Sequence, residues 1–448
     1  MVIMAKRSYF GTDGIRGVAG KNPMTASFAF RVGVATTETL KKKVSAPRIL
    51  IGTDTRRSGP MLAQAVSSGV MSRGGNVTFL GIIPTPGVSH LTKALNADAG
   101  FVISASHNPF EDNGLKIFNG DGEKLSDEVE SGIEALLEAD AEDLPAVTGE
   151  AIGTPGRYRR DDDDYIHFLL DNAPYLDGLR VGLDCANGAA YQLAPRVFQK
   201  IGARLDVVSA HPDGLNINVN CGSTHPEAMQ TRVRELELDV GISFDGDADR
   251  ALLIDKKGRL VTGDHILAIC ALAREEKQIV ATLMSNLGVE RFLQERGVEM
   301  VRTQVGDRYV HAELQARKLE LGGEQSGHVL FLDKAPTGDG LLTALQTLAA
   351  IRKSGKPLEA WMDDIPQYPQ ILVNVNVPAN KKNSLSALPE IQQAVVKVEE
   401  VLGEDGRINL RPSGTEPLIR VMVEGKDQTL IESLAQSVAR AVEAASRA

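Results

Sequence analysis

Short apolar segments recur along this sequence and alternate with stretches of helical periodicity. The apolar segments span residues 48–51, 77–80, 100–104, 180–183, 278–283 and 319–322. Continuous apolar runs of this length, separated by helical stretches, are typical of buried strands in an α/β sheet. Several run directly into polar loops, as at 52–57 and 184–188. Because ligand sites in such sheets form at the carboxyl ends of strands, the pattern predicts an α/β fold with functional residues in strand-end loops.

The length of the chain predicts several domains. At 448 residues it is too long for one hydrophobic core, and the usual domain size suggests three or four. Shifts in composition predict boundaries within 134–164, just after 255–258, and within 361–373, where prolines interrupt a helix before a β-rich segment begins. The last segment, 430–445, has the pattern of an amphipathic helix.

The charge and cysteine content narrow the class of protein. Lys and Arg number 49 against 59 Asp and Glu, a net charge of −10, which argues against nucleic acid or an anionic membrane as a partner. The three cysteines, Cys185, Cys221 and Cys270, are scattered and predict neither a disulfide framework nor a metal cluster. No apolar leader or bilayer-length run occurs. We therefore expect a cytoplasmic protein that binds a small molecule.

Three carboxylates occupy alternate positions in the run 244–250. Asp245, Asp247 and Asp249 would point the same way along an extended segment, separated only by Gly and Ala. Two carboxylates about 4 Å apart repel by roughly 4 kcal/mol at an effective dielectric near 20, so a hard divalent cation such as Mg²⁺ or Ca²⁺ would neutralise them. An EF-hand is excluded, because Arg250 and Lys256 stand where that loop needs Gly and Glu. The apolar, β-prone flanks 240–244 and 251–255 predict that the carboxylates lie on a strand-end loop. A solvated acidic turn is the alternative.

A serine-containing turn follows the segment 100–103. Pro109 keeps the residue before it out of helical conformation, so the run 104–109 predicts an ordered turn that presents its side chains. Ser106 is either a backbone-bonding residue or a nucleophile, and the Gly-x-Ser-x-Gly pattern of lipases is absent. Lys116, after a predicted turn at 112–114, is either a surface cation or a proton-transfer group near Ser106.

Two further loops offer polar groups beside glycines. In 323–328, Glu324 and Ser326 suit sugar hydroxyls, although a glycine-rich turn between strands is the alternative, and His328 is either structural or a proton carrier. In 411–417, Arg forks and hydroxyls could ring a phosphate, with a solvated β-hairpin as the alternative.

Together these segments resemble the α-D-phosphohexomutase superfamily. Four motifs occur in that family's order, at 104–109, 245–250, 323–328 and 411–417, so the resemblance spans essentially the whole chain. Within the superfamily, the run 10–17 and Gln325 resemble the bacterial phosphoglucosamine mutase group.

The resemblance implies a fold and a set of domains. It implies three similar α/β domains plus a C-terminal α+β domain around a central cleft. The expected domains are 1–152 with the phosphoserine loop, 153–257 with the metal loop, 258–368 with the sugar-binding loop, and 369–448 with the phosphate-binding loop.

The resemblance also implies site residues and cofactors. The catalytic residues would be Ser106, Lys116, Arg16, His107 and His328; the substrate-binding residues Glu324, Ser326, Arg411, Ser413, Gly414, Thr415, Arg420 and Arg250; and the metal ligands Ser106, Asp245, Asp247 and Asp249. Asp13, Asn108 and Arg56 would orient the serine loop. One Mg²⁺ per chain, a phosphoserine at Ser106 and a sugar 1,6-bisphosphate intermediate are expected.

The implied activity is an intramolecular phosphate transfer on a sugar. Glucosamine 6-phosphate and glucosamine 1-phosphate would interconvert through the bisphosphate, feeding synthesis of UDP-N-acetylglucosamine and of cell-wall precursors. A phosphomannomutase or phosphoglucomutase of the same superfamily, a metal-dependent phosphatase and a non-catalytic sugar-phosphate binder are the alternatives. The partner is a small sugar phosphate, and homo-oligomerisation is left open.

Overall fold

The structure is a computed structural model that describes residues 8–11, 13–138, 145, 147–158, 164–378, 380–413 and 417–447. The chain divides into two compact units. The first comprises residues 1–282 and 301–362, and the second comprises residues 283–300 and 363–448.

A six-stranded sheet opens the first unit, in the order β1-β5-β4-β2-β3-β6. Its strands are β1 Ile15–Val18, β2 Arg48–Thr53, β3 Asn76–Ile82, β4 Ala99–Ile103, β5 Asp112–Asn119 and β6 Pro155–Arg157, and its helices are α1 Ala26–Lys41, α2 Gly59–Ser72, α3 Thr85–Ala94 and α4 Asp127–Glu138. Strands β2, β3, β4 and β6 pair in parallel, whereas β1 and β5 run antiparallel to their neighbours. A short 3-10 turn covers Gly149–Ala151.

Helices α1 and α2 lie in close contact because each has a glycine that faces the backbone of the other helix. A Cβ on Gly33 would lie 2.3 Å from the carbonyl oxygen of Val66, and one on Gly69 would lie 2.1 Å from that of Phe30. Only glycine fits at such a separation. The pair packs on the sheet through a core that includes Val32, with strand β4 buried along its whole length.

The second sheet has five strands in the order β11-β10-β9-β7-β8. Its strands are β7 Arg180–Asp184, β8 Arg204–Val208, β9 Val240–Phe244, β10 Ala251–Asp255 and β11 Leu260–Val261, and its helices are α5 Asp164–Asp171, α6 Leu193–Lys200 and α7 Glu227–Glu235. Strands β9 and β10 are fully buried and antiparallel, so the turn between them is held at both ends.

The third sheet has four strands in the order β13-β12-β14-β15. This part of the chain contains β12 Gln278–Thr282, β13 Glu299–Thr303, β14 Leu321–Gly323 and β15 Val329–Phe331, with helices α8 Gly263–Arg274, α9 Leu287–Gln294, α10 Asp307–Arg317, α11 Gly340–Ser354 and α12 Leu358–Asp364. Helix α9 belongs to the second compact unit.

The second unit is built on an antiparallel three-stranded sheet in the order β16-β18-β17. Its elements are β16 Gln370–Asn376, α13 Lys382–Leu385, α14 Pro389–Leu402, a 3-10 turn Gly403–Asp405, β17 Gly406–Pro412, β18 Leu418–Gly425 and α15 Gln428–Arg447. Ile419, Val421 and Val423 of β18 share a core with apolar residues of α15, including Ile431 and Val438.

The α/β class predicted from the alternating pattern is confirmed, and each predicted apolar segment overlaps a strand. The domain ranges remain a prediction. Strand β6 pairs with β3, so the first sheet extends past the predicted boundary at 152, and β11 extends the second sheet past 257. Among the described residues, no helix is both long enough and apolar enough to cross a membrane.

The predicted turn at 112–114 is wrong. These residues form the first part of strand β5, because their backbone pairs with strand β1, with Val18 opposite Asp112 and Arg16 opposite Gly114. The turn lies at 109–112, immediately before the strand, where Asp112 N donates to the carbonyl of Pro109 at 3.1 Å. A contact distant in sequence therefore decides the local structure.

Candidate active site

Ser106 lies in the turn that follows β4, and its hydroxyl points at a carboxylate. The residue is fully buried and has φ of +54°, a left-handed conformation that non-glycine residues seldom adopt. Its backbone N donates to Ser104 Oγ at 2.9 Å, and Ser104 Oγ donates to Asp54 Oδ2 at 2.6 Å. Its own Oγ donates to Asp245 Oδ2 at 2.6 Å. The turn therefore holds one hydroxyl against the acidic run.

The buried guanidinium of Arg56 holds this turn together. It donates to the carbonyl oxygens of Ser106 and Asn108, each at 2.8 Å, and to that of Asp112 at 3.0 Å, and it also contacts the carbonyl of Pro109. Its Nε donates to Asp54 Oδ2 at 2.8 Å. A planar fork with five N–H donors suits several loop carbonyls at once.

We expect Arg56→Met to destabilise the fold strongly. Burial raises the pKa of Asp54 against the opposing effect of Arg56, so removing the cation leaves a buried carboxylate unpaired. Loss of one partner of a buried ion pair costs about 3–5 kcal/mol. Urea denaturation should show the loss as a lower unfolding midpoint, with Arg57→Met, at the exposed neighbour, as the control. A variant as stable as the control would contradict this role.

The three predicted metal-ligating carboxylates converge in the turn between β9 and β10. One oxygen from each of Asp245, Asp247 and Asp249 lies within 4.8 Å of the others, and all three side chains are buried. The predicted strand-end loop is confirmed, but its backbone reverses in a turn and is not the extended segment that the alternating pattern predicted. Ala248 has φ of +54° and its N donates to the carbonyl of Asp245 at 3.0 Å, because the antiparallel pairing of β9 with β10 requires the chain to reverse here.

Backbone donors from three other segments fix this turn. The carbonyls of Gly246, Asp247 and Ala248 accept from Ala189 N at 2.8 Å, Thr85 N at 2.9 Å and Gly340 N at 3.0 Å, respectively. Thr85 and Gly340 are the first residues of α3 and α11, whose unpaired N–H groups are available for such bonds. The positions of the carboxylates therefore depend on all three sheet regions of the first unit.

The chemistry of this cluster fits a hard divalent cation. Burial raises the pKa of Asp245 well above its usual range, and the charges of Asp249 and Asp247 raise it further. Asp247 Oδ1 is buried and has no hydrogen-bond partner within the described part of the chain. A buried carboxylate oxygen left unpaired is costly, and oxygen ligands are those that Mg²⁺ and Ca²⁺ prefer. The cluster could hold a metal ion.

Lys116 lies beside the cluster because of the register of β5 on β4, which places it opposite Val102. Its Nζ lies 2.8 Å from Asp247 Oδ2, 3.3 Å from Asp249 Oδ2 and 2.9 Å from Asp13 Oδ2. Burial would lower the pKa of Lys116, but these carboxylates outweigh burial and raise it well above its usual range. Lys116 is therefore held as an ammonium group close to the acidic turn.

His107 and Arg16 also contact residues of the serine turn. His107 Nδ1 lies 3.3 Å from Ser106 Oγ, and burial together with Arg250 and Arg16 lowers the pKa of His107 to about 4. Its imidazole is therefore neutral at physiological pH. Arg16 donates to Asp13 Oδ2 at 2.5 Å and to Asn108 Oδ1 at 3.4 Å.

Arg250 ends the acidic turn and belongs to the same cluster. Its backbone N donates to Asp245 Oδ1 at 3.2 Å, and its Nε lies 3.8 Å from Asp249 Oδ1. Burial would lower the pKa of Arg250, but the surrounding carboxylates raise it instead.

The predicted sugar loop joins β14 to β15. Glu324 Oε1 accepts from Gly306 N at 3.0 Å, and the Oγ of the partly buried Ser326 has no hydrogen-bond partner among the residues described. His328 Nδ1 lies 3.7 Å from Asp249 Oδ1. Burial would lower the pKa of His328, but the neighbouring Asp249 carboxylate raises it to about 9. The loop therefore reaches the acidic turn through His328.

An ion-pair network that the sequence did not predict connects these groups. Lys124 contacts Asp13 Oδ1 at 2.6 Å and Asp307 Oδ2 at 2.5 Å, and His328 Nε2 lies 3.5 Å from Asp307 Oδ2. Lys116 and Asp249 complete an alternating ring of charges. Lys124 and Asp307 carry no local motif in the sequence, so only the spacing of the three-dimensional fold identifies them.

The predicted phosphate-binding residues lie in the second unit. Arg411 on β17 lies directly opposite Arg420 on β18, and burial together with Arg420 lowers the pKa of Arg411. Like charges directly opposite one another on a sheet are unfavourable, so this pair suits an anion. Lys382 Nζ donates to the carbonyl of Ser413 and adds a cation that the sequence did not predict. Gly414 and Thr415 lie outside the described residues.

Comparison with known proteins covers nearly the whole chain. Four family patterns match in order, each described as phosphoglucomutase/phosphomannomutase: alpha/beta/alpha domain I at 7–143, domain II at 163–258, domain III at 262–368 and the C-terminal domain at 372–441. A solved phosphoglucomutase/phosphomannomutase family protein from Burkholderia thailandensis is 26% identical, with a TM-score of 0.82, and the match covers 99% of this chain and 98% of that one.

Curated relatives are more similar. The phosphoglucosamine mutase of Deinococcus radiodurans is 52% identical over 98% of both chains, and that of Thermus thermophilus is 51% identical over 98% of this chain and 99% of its own. An Aspergillus fumigatus N-acetylphosphoglucosamine mutase, solved with GlcNAc-6P and magnesium, is 19% identical with a TM-score of 0.69, over 98% of this chain and 96% of its own, which shows the shared fold. The chain belongs to the α-D-phosphohexomutase superfamily and, within it, to the phosphoglucosamine mutase family.

Proposed function

We propose that this protein is a phosphoglucosamine mutase that interconverts glucosamine 6-phosphate and glucosamine 1-phosphate. The observation that carries the proposal is the 2.6 Å hydrogen bond from Ser106 Oγ to Asp245, which puts a buried hydroxyl at a three-carboxylate cluster able to hold a metal ion. Full-length relatives at 51–52% identity bear the same name. The reaction is an isomerisation by phosphate transfer.

The transfer has two steps that share one serine. In the first, a hydroxyl oxygen of the sugar phosphate gives up its proton and forms a bond to the phosphorus on Ser106. The bond from Ser106 Oγ to phosphorus breaks, Ser106 Oγ takes up a proton, and a sugar bisphosphate results. After the bisphosphate has turned end over end, Ser106 Oγ takes the other phosphoryl group, and that sugar oxygen leaves as a hydroxyl. Asp245, Asp247 and Asp249 would hold one Mg²⁺, whose chemistry here is to offset charge on the transferring phosphoryl oxygens.

The neighbouring cations supply protons and positive charge. Lys116 is held as an ammonium by three carboxylates, so it suits proton donation to an oxygen that leaves phosphorus. His328, with its pKa at about 9, places a second positive charge beside Asp249. Arg250 adds a third positive charge. The neutral imidazole of His107 and the guanidinium of Arg16 orient the serine turn. These roles follow from position and charge.

Substrate binding is assigned to two loops. Glu324 and Ser326 offer a carboxylate and a hydroxyl to the sugar ring, and Glu324 also suits the ammonium group of glucosamine. Arg411, Ser413, Gly414, Thr415 and Arg420 are proposed to bind the phosphate that is not reacting. The two arginines lie opposite one another on the sheet and place two positive charges together, and one clamp must accept the sugar in both orientations.

Initial rates on three sugar phosphates test the specificity. We expect phosphorylated protein to turn over glucosamine 6-phosphate with a kcat/KM about tenfold or more above those for glucose 1-phosphate and mannose 1-phosphate, because a hydrogen bond to a charged group contributes about 1.5–3 kcal/mol. Glu324→Gln keeps the shape and should narrow the difference. Equal or reversed preference would make the protein a hexose phosphate mutase, and phosphate release without isomerisation would make it a phosphatase.

A further inference from the structure

A loop without a role in the steps above links the serine turn to the acidic turn. The loop comprises residues 211–223, after β8, and is called the 211–223 segment. Near its start, the carbonyl of Gly214 accepts from the backbone N of Arg57 at 2.9 Å. Arg57 follows Arg56, whose guanidinium binds the serine turn. At its end, Ser223 N donates at 2.8 Å to the carbonyl of Phe244, the residue before Asp245. The segment therefore contacts both halves of the candidate site.

Asn218 is the residue of this segment that reaches the serine turn. Its buried Nδ2 donates to the carbonyl oxygens of Ser106 at 2.9 Å and Asn108 at 3.1 Å. These are two of the carbonyls that Arg56 also binds, so each accepts one bond from the first sheet region and one from the second. Its backbone N donates to the carbonyl of Ala186 at 2.9 Å, which anchors it at the end of β7.

The acidic turn packs against the same point. A Cβ added to Gly246 would lie 2.5 Å from the carbonyl oxygen of Ser106 and 2.8 Å from Asn218 Nδ2. The serine carbonyl, the Asn218 amide and the backbone between Asp245 and Asp247 are therefore in mutual contact. A shift of Asn218 changes the spacing between Ser106 and the carboxylates directly.

This arrangement is costly for the fold. Asn218 has φ of +60°, and its Oδ1 is buried without a hydrogen-bond partner in the described part of the chain. Left-handed backbone and unpaired buried acceptors are uncommon and concentrate at functional sites, where the surrounding structure enforces them.

We propose that Asn218 is a positioning residue that sets the distance between Ser106 Oγ and the Asp245 carboxylate by holding the serine carbonyl against the acidic turn. The consequence for phosphate transfer rests on the proposed function. The link itself does not, because it is a contact between two loops of the protein. Outer groups that orient a metal site typically change metal affinity about 10- to 100-fold, and small misplacements of reacting groups cost about as much in rate.

The test compares Asn218→Gly with Asn220→Gly. Glycine tolerates positive φ, so Asn218→Gly removes the amide without adding backbone strain, and Asn220, exposed on the same segment with φ of +52°, is the matched control. We expect kcat on glucosamine 6-phosphate to fall about 10- to 100-fold with KM within about twofold, since the sugar loop is unchanged. Calorimetric titration with Mg²⁺ should show affinity about tenfold weaker, and amide exchange at residues 104–109 should be faster than in the control.

The outcomes separate the two proposals. Unchanged exchange at 104–109, or a kcat within about twofold of Asn220→Gly, would overturn the positioning role. A wild-type protein that exchanges slowly at 104–109 but shows no mutase turnover would overturn the proposed function alone. If Asn218→Gly does not fold, Asn218→Ser tests the same link, because one short hydroxyl cannot reach both carbonyls.

Discussion

Ser106→Ala is expected to abolish mutase turnover. The substitution removes the oxygen that would carry the phosphoryl group and leaves every other proposed residue in place. Loss of a nucleophile that acts with its neighbours as a unit typically lowers kcat by 10⁴-fold or more, roughly 10⁶ in well-studied hydrolases. Initial rates of glucosamine 1-phosphate formation measure the effect. Intact mass should show that the variant lacks the single phosphoryl group that the wild-type protein carries.

The control for this variant is another buried serine. Ser67 lies on α2 in the same sheet region, and Ser67→Ala deletes the same atom away from the acidic turn, so its rate should remain within about twofold of the wild-type rate. Full activity in Ser106→Ala would exclude a phosphoserine at Ser106. The protein would then be a mutase that uses another residue.

Asp245→Asn is expected to stabilise the protein in the presence of a chelator and to remove its stabilisation by Mg²⁺. Burial and the charges of Asp249 and Asp247 raise the pKa of Asp245 well above its usual range, so the ionised form destabilises the metal-free fold above that pKa. Removing the charge relieves a repulsion of at most about 4 kcal/mol per close pair. The hydrogen bonds survive, because Asn Oδ1 can accept from Arg250 N and Asn Nδ2 can donate to the Ser106 hydroxyl.

Thermal unfolding with EDTA and with saturating Mg²⁺ measures both effects. Wild-type protein should gain about 2.7 kcal/mol of stability at a metal concentration 100 times Kd, whereas Asp245→Asn should gain little. Asp239→Asn is the control. Asp239 is a partly exposed carboxylate that precedes the first residue of β9, whereas Asp245 follows the last, so this variant should keep the response to metal. A metal response in Asp245→Asn equal to that of the wild type would rule out Asp245 as a ligand.

The sequence predicted the parts of the site that lie within continuous motifs. Ser106 and the three carboxylates stand out locally, and the structure brings their side chains together across more than a hundred residues of chain. It did not predict that Asp13 joins a ring of charges with Lys124 and Asp307, because the latter two are ordinary charged residues that give no signal until the fold makes them neighbours. Asn218 gave only a weak signal, as one of several asparagines in a loop rich in turn-forming residues.

The two local geometries that were predicted incorrectly share one cause. Residues 112–114 have the composition of a turn, but pairing with β1 extends them into a strand. Residues 245–249 alternate as an extended segment would, but the antiparallel pairing of β9 with β10 forces a turn and a left-handed Ala248. Pairing between strands supplies more hydrogen bonds than local preference can offset, so tertiary contacts decide short segments of this kind.

The sequence by itself determined the α/β class and the chemical groups available, because apolar periodicity and clustered functional side chains are local properties of the chain. Only the tertiary structure decided which groups meet and in what state of charge. Lys116 became a buried ammonium through three carboxylates distant in sequence, and His107 became neutral through burial and two arginines. Desolvation and charge interactions depend on distances in space, and those distances exist only after the chain has folded.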